Sequence, residues 1–413
     1  MVASVLSRDD SLNSAIIRNN MNRFQQGLFP ASVNTSAYSD ARGRLNPEVL
    51  RQAFKKIAIE TNKKIPDDKF WGKFKPYLID GSTIFANDTP ANQEAFPQHT
   101  NQDEGVGFPI LKVEFLQSLK SGMIHSAAFG SIHGKGTGEM SLARKLFPDL
   151  EENSLLIGDR YFPSYFTMAE LIKKGCHGVF QANAHRMIDF KKGRQLGFLD
   201  HIVEWKRPRK PKWMPSEDYK NYPKKLSLRE VDVSNEVNTG ESFIIVTTLI
   251  DNINFSKLKL AQFYKHRWRI ETALKDIKDT FEMEHIAANS PEMVEKVFWA
   301  HLLSYNILRW HMLNAAVLYE TTIDKISVKT ASTIMTQNGP LILITPPENL
   351  PKLFAELYYQ FVQVPVGMRP NRCEPRAVKK RPKPFPRLHE KRSAWHARKK
   401  FENSNKNLIK SLT

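Results

Sequence analysis

YKHRWRIETALKDIK, residues Tyr264 to Lys278, contains no proline and is rich in Leu, Lys, Glu and Ala. Its apolar residues recur at helical spacing, so it is predicted to form one long helix. At about 100° per residue, Tyr264, Arg267, Glu271 and Lys278 fall at roughly 0°, 300°, 340° and 320°, a stripe about 60° wide. Phe263, Ile270, Leu274, Ile277 and Phe281 fall at about 220° to 280°, directly beside it. Glu271 is therefore expected at the rim of the buried face.

A carboxylate at that rim needs a cation, because burying it unpaired is costly. Two readings are open. Arg267 and Lys278 can be its ion-pair partners on an ordinary surface helix. Alternatively Glu271 holds a metal ion, and the neighbouring Tyr, Arg and Lys grip phosphate. The spacing Tyr-x2-Arg-x3-Glu-x6-Lys, complete in Tyr264, Arg267, Glu271 and Lys278, resembles the signature of DDE transposases of the insertion-sequence-four family.

Upstream the texture alternates. YLIDGSTIF, from Tyr77, reads as a strand with Asp80 near its end, followed by Gly81 and Ser82. ILKVEFLQSL (Ile110 to Leu119) and MIHSAAFGSI (Met123 to Ile132) are two more strands, Gly138 to Leu146 a helix, SLLIGDRYF (Ser154 to Phe162) a buried strand ending in Asp159, and Ser164 to Lys174 a helix. Three strands, a helix, a strand and a helix are the order of an α/β, ribonuclease-H-like (retroviral-integrase-like) core. Either aspartate alone also fits a helix cap or turn. Asp159 and Glu271 lie 112 residues apart, more than a helix and a loop require. HGVFQAN, DHIVEWKRP, LSLREVDV and SFIIVTTLI between them predict an inserted β unit. The expected organisation is an N-terminal helical unit (1–65), a first catalytic part (70–182), the β unit (183–255), completion of the catalytic domain (256–365) and a basic arm (366–413).

The formal net charge of +18 is local: 15 Lys or Arg against 3 acids from Arg369 to Thr413, and 12 against 5 from Arg186 to Lys225. Two basic patches favour a polyanion partner. The C-terminal stretch has four prolines between Pro375 and Pro386 and is expected to be extended. The N-terminus shows no secretory signal. Val297 to Tyr319 is apolar but carries His301, Asn306, Arg309 and His311, which predicts a buried helix of a soluble protein. Cys176 and Cys373 show neither metal-ligand spacing nor a disulfide framework, and a reducing compartment is expected. HGKGTG (His133 to Gly138) lacks P-loop spacing and reads as a loop.

Residues 1 to about 62 look helical, broken at Gly27 to Tyr38, with a helix opening near Asn46-Pro47. SAYSDARGRLNPEVL (Ser36 to Leu50) and SPEMVEKVFWAHLLSYNILRWHM (Ser290 to Met312) also resemble the transposase family, and the likeness covers roughly residues 30 to 390. Family members often have Arg where this chain has Gln181; Arg186 stands nearby.

The resemblance implies that Asp80, Asp159 and Glu271 hold two divalent ions about 4 Å apart for phosphodiester chemistry, with Mg²⁺ suited to the oxygen ligands and Mn²⁺ a substitute. It implies cleavage at element ends and strand transfer, on double-stranded DNA (terminal inverted repeats and target), by a homodimer in a prokaryotic cytoplasm, away from membranes. Tyr264, Arg267, Trp268, Lys275, Lys278, Arg186, Arg376, Lys379, Lys380 and Arg381 are the candidate DNA-binding residues. A ribonuclease-H-like nuclease without strand transfer and a non-catalytic DNA-binding descendant are the alternatives.

Overall fold

The computed structural model describes all residues except 7–10, 66–71, 73, 135, 238–242, 367–389 and 402–413. Helices α1 (Val2–Leu6), α2 (Leu12–Gln25), α3 (Ser36–Arg44) and α4 (Pro47–Lys64) come first. The Asn46 side chain caps α4 by accepting from Glu48 N at 2.9 Å, and Pro47 fills its first turn. The break expected at Gly27 to Tyr38 is shorter, because α3 begins at Ser36.

The core follows as β1 (Lys75–Ala86), α5 (Pro90–Ala95), β2 (Ile110–Ser118), β3 (Ile124–Ser131), α6 (Glu139–Leu146), β4 (Ser154–Gly158), α7 (Tyr165–Lys173) and β5 (His177–Gln181). In the sheet these strands stand in the order β3-β2-β1-β4-β5. β2 runs antiparallel to β1 and β3, while β4 runs parallel to β1 and β5. That order and direction fit a ribonuclease-H-like core.

Next come β6 (Arg194–Gly197), β7 (Asp200–Lys206), α8 (Ser216–Lys220), β8 (Lys225–Asp232), α9 (Ser234–Val237) and β9 (Ile244–Thr247). Their strands make no separate sheet: β9 pairs antiparallel with β5 and the order runs on through β8 and β7 to β6. The edge that β5 would otherwise expose is thereby covered. The remaining elements are α10 (Lys257–Tyr264), α11 (Trp268–Lys275), β10 (His285–Ile286, parallel to the end of β1), α12 (Pro291–Leu318), α13 (Val328–Ile344), α14 (Leu350–Gln363) and a helix α15 over 392–401.

Side chains alternate across β1. Leu78 and Ile84 point into a core shared with α4, α11 and α12, whereas Tyr77 and Ile79 join α6 and α7 on the opposite face. α12 is buried along most of its length, as its apolar sequence predicts. Among the described residues, no helix is long and apolar enough to cross a membrane.

Within β7 and β8, Arg229 is fully buried and grips Asp200 with two bonds, Nε to Oδ1 at 2.8 Å and Nη2 to Oδ2 at 2.7 Å, while Nη1 donates to Phe255 O at 2.6 Å. Removing one partner strands the other charge in a dry interior. Asp200→Ala is expected to cost about 3–5 kcal/mol, and adding Arg229→Met to recover most of it. Denaturant midpoints of the single and double variants check this, and a double variant no better than the single would refute it.

Candidate active site

The ladder between β1 and β4 pairs Lys75 with Ser154 through Leu78 with Ile157. Carried two residues further, that register sets Asp80 level with Asp159 on neighbouring strands about 4.8 Å apart. Alternation from Leu78 and from Ile157 turns both aspartates toward the sheet face covered by α11 and α12. Glu271 lies on α11, whose Ile270, Ala273 and Leu274 are packed in that same core. The three carboxylates predicted from sequence thus stand on one side of the sheet. Asp159 lies one residue beyond β4 rather than at its end, in a turn where its Oδ1 accepts from Tyr161 N at 2.8 Å. Asp80 Oδ1 accepts from Gly81 N at 2.8 Å.

The stretch Tyr264–Lys278 departs from a single regular helix. α10 passes into a 3₁₀ turn at Lys265–Arg267, α11 resumes, and a π-helical turn spans Asp276–Thr280. Such turns rotate side chains away from an even 100° step, and π turns recur at functional sites. Tyr264 consequently leaves the polar stripe: it is 5% exposed and packs edge-on against Phe243 at 5.2 Å. Burial pushes its hydroxyl pKa up. Trp268 is 65% exposed and Lys275 is exposed. Lys278, in the π turn, is half-buried, and desolvation lowers its amine pKa against the opposing pull of Glu284 and Asp279.

Arg267 joins the site together. Its Nη1 meets Glu271 Oε1 at 2.5 Å, and its guanidinium lies 5.3 Å from the Trp268 ring. Burial pushes the Asp80 carboxyl up to about 6; the Gly81 N–H and Arg267 oppose the rise, and the charges of Asp159 and Glu271 add to it. The three acids and Arg267 therefore share one electrostatic neighbourhood. Among the described residues no three His, Cys, Asp or Glu side chains are grouped so as to hold a metal ion. The donors are nonetheless all carboxylates, the ligand type that Mg²⁺ and Mn²⁺ prefer, and Arg267 already occupies Glu271.

Two acids escaped the sequence reading. Glu114 faces Gly81 across the β1–β2 ladder, is fully buried, and neither carboxyl oxygen finds a hydrogen-bond partner among the described residues. Burial, with Glu139, Asp80 and Asp159 nearby, pushes it up to about 10, so it is a neutral acid at pH 7. Glu139 opens α6 and is also raised, by burial and then by Asp159. Their signal was weak: Glu114 sits in a strand whose other residues are mostly apolar, and only its alternation with Lys112 hinted at a polar position.

Arg186, at the start of the second basic patch, is tied to the protein. Arg186 Nε donates to the buried Glu230 at 2.6 Å and its guanidinium stacks 3.8 Å from the Trp205 ring. Glu230 also receives Trp205 Nε1 at 2.8 Å and faces His201 Nε2 at 3.0 Å. Arg186 is thus engaged by Glu230 and Trp205. Arg376, Lys379, Lys380 and Arg381 lie outside the described residues. The expectation of an extended arm is corrected over 392–401, where the chain forms α15; this part lacks the prolines of the preceding stretch.

The transposase InsG of insertion sequence element IS4 from Escherichia coli (strain K12) is 27% identical over 401 residues, covering 95% of this chain and 86% of that protein. A distant likeness, 10% identical with a TM-score of 0.42, links 86% of this chain to 74% of a chain in the cryo-EM structure of the piggyBac transposase synaptic complex with hairpin DNA. The family model described as the transposase DDE domain matches residues 71–307, more than half of the chain and a span that holds Asp80, Asp159 and Glu271. The chain belongs to the DDE transposase family.

Proposed function

We propose that this transposase cuts DNA at the ends of a mobile element and joins the freed 3′ ends to target DNA, with Asp80, Asp159 and Glu271 holding two divalent ions. The observation that carries this reading is the register of β1 and β4, which aligns Asp80 with Asp159 on the face where α11 presents Glu271. When bound, such ions supply Lewis acidity to the phosphodiester and to the attacking and leaving oxygens.

The protein's own groups do the rest. Asp80 and Asp159 each accept a hydrogen bond from a backbone N–H, which favours their charged forms. Arg267 neutralises Glu271, and a guanidinium so placed could grip two oxygens of a phosphate beside the cut. Trp268, next to Arg267, presents an exposed ring, and Lys275, about two helical turns on, an exposed cation. Tyr264, being buried, supports Arg267 from below rather than reaching DNA. A homodimer would bring two such sites to the two ends. We read residues 1–65 as a DNA-end-binding unit and 183–255 as an insertion completing the sheet.

Removing an outer partner of a metal ligand typically costs 10–100-fold in activity, so loss of a ligand itself should cost more. Asp80→Asn, Asp159→Asn and Glu271→Gln are each expected to lower Mg²⁺-dependent cleavage of labelled terminal repeats by more than about 100-fold while DNA binding persists. Cleavage near the native rate in any one variant would remove that residue from the site. Scoring joined and cut products separately distinguishes a transposase from a nuclease.

Arg267→Ala separates the two readings of its ion pair. An exposed pair contributes about 0–1 kcal/mol, and this one is partly buried. A phosphate-gripping role predicts cleavage falling at least tenfold with a small change in melting temperature. A variant that melts early yet cleaves normally when folded would assign Arg267 to structure alone.

Asp80 also sets a pH dependence. Its folded value of about 6 exceeds the usual unfolded value of about 3.9. Between those limits the unfolded chain loses the proton and the folded chain keeps it, so Asp80 destabilises increasingly as pH rises to 6 and by a constant amount above. In chelator, Asp80→Asn should therefore raise the melting temperature at pH 7.5 and leave it nearly unchanged at pH 4. A gain equal at both pH values would contradict the buried-carboxyl account.

A further inference from the structure

Arg392, the first residue of α15, is fastened to the loop that follows β1. Its Nη1 pairs with Asp88 and donates to Gly107 O at 2.9 Å, its backbone N donates to Gly105 O at 3.3 Å, and its guanidinium lies 4.1 Å from the Phe108 ring. The preceding Lys391 faces Glu104 at 3.4 Å. Asp88 is held for this task, because its Oδ1 accepts from Gln93 Nε2 at 2.6 Å. Arg392 and Asp88 keep only 23% and 22% of their side-chain surface exposed. Four independent contacts from one residue, most of its surface covered, describe a built latch rather than a chance surface pair.

The latch has a defined place. Phe108 packs edge-on against His285 at 5.9 Å, and His285 belongs to β10, which pairs with the last residues of β1. Asp80 lies six residues before Ala86 on that strand, about 20 Å at 3.3 Å per residue. Residues 391–401 carry Lys391, Arg392, Arg398, Lys399 and Lys400 and no acid, with Arg398 and Lys400 exposed. Glu390, paired with Arg398, is the nearest preceding acid.

We propose that Arg392 latches α15 beside the end of β1 so that the helix cations bind the backbone phosphates of duplex DNA flanking the site of cutting. The inference takes from the proposed function only that duplex DNA is the partner. Charge complementarity supports that occupant: a net-positive helix held still against the core loses less freedom on binding than a free tail, so each phosphate contact yields more affinity.

The test uses the full chain and a short labelled duplex of random sequence. Hydrogen exchange over 392–401 should be slow in the native chain and at least tenfold faster in Asp88→Asn, with duplex affinity falling about fivefold. A triple variant, Arg398→Gln with Lys399→Gln and Lys400→Gln, keeps the latch and should flatten the log–log salt dependence by up to about 2.7, at 0.9 per phosphate. Adding Asp88→Asn to it should then change affinity little. Fast exchange in the native chain, or a released helix with affinity and salt slope unchanged, overturns the latch; cleavage by the native chain stands apart from either result. A native chain that does not bind the duplex at low salt overturns the phosphate contacts proposed for α15, while cleavage of terminal repeats tests the transposase reading separately.

Discussion

Two carboxylates in register on adjacent parallel strands repel each other, and a third on the covering helix adds to the repulsion. The rest of this architecture manages that charge. Neighbouring acids disfavour one another's ionised forms, which is visible in the raised Asp80. Arg267 is the opposing cation, placed by α11 one turn before Glu271. The aspartates sit where β1 and β4 stop pairing, so backbone N–H groups freed from the ladder turn back onto their oxygens. Removing charge from the site should relax the fold, and a strained functional cluster of that kind persists only because the surrounding core over-determines it.

Much of this was legible beforehand because it rests on short-range rules. Alternation in YLIDGSTIF and SLLIGDRYF located β1 and β4, and the spacing of Tyr264, Arg267, Glu271 and Lys278 located the helix that covers them. The misreadings have a common cause, the use of ideal geometry where the chain departs from it. An even wheel put Tyr264 on the polar stripe with Arg267, Glu271 and Lys278, whereas a 3₁₀ turn separates it from α11 and it lies in the core beside Phe243. Prolines between 375 and 386 argued for an extended arm, but beyond 390 they cease and α15 forms. The pairing of β9 with β5 was out of reach, since a strand's partner is a tertiary choice that its own sequence does not state.

The strands β6 to β9 show how the sheet can grow without loosening the site. β5 is the last parallel strand, and an open edge there would expose unpaired backbone next to Asp159's strand. β9 covers it, and its own partners carry the buried Asp200–Arg229 pair and the Glu230 cluster. Buried polar clusters of this sort add little net stability over an apolar core, yet they penalise any other register heavily because a slip by one residue leaves charges unpaired. Register in this region is propagated through β5 to β4, and hence to the level at which Asp159 meets Asp80.

Gly81 constrains the site from the opposite face of the sheet. Because side chains alternate, Glu114 lies behind the strand that carries Asp80, and a Cβ at position 81 would stand 2.6 Å from its Oε2 and 3.2 Å from Val113 O. A side chain at position 81 would therefore turn the end of Glu114 aside and crowd the backbone of β2. The N–H of the same glycine donates to Asp80. The Asp-Gly pair, read from sequence near a strand end, lies in the middle of β1, which runs on to Ala86; there the glycine leaves room for Glu114 on one face while its N–H holds the carboxylate on the other.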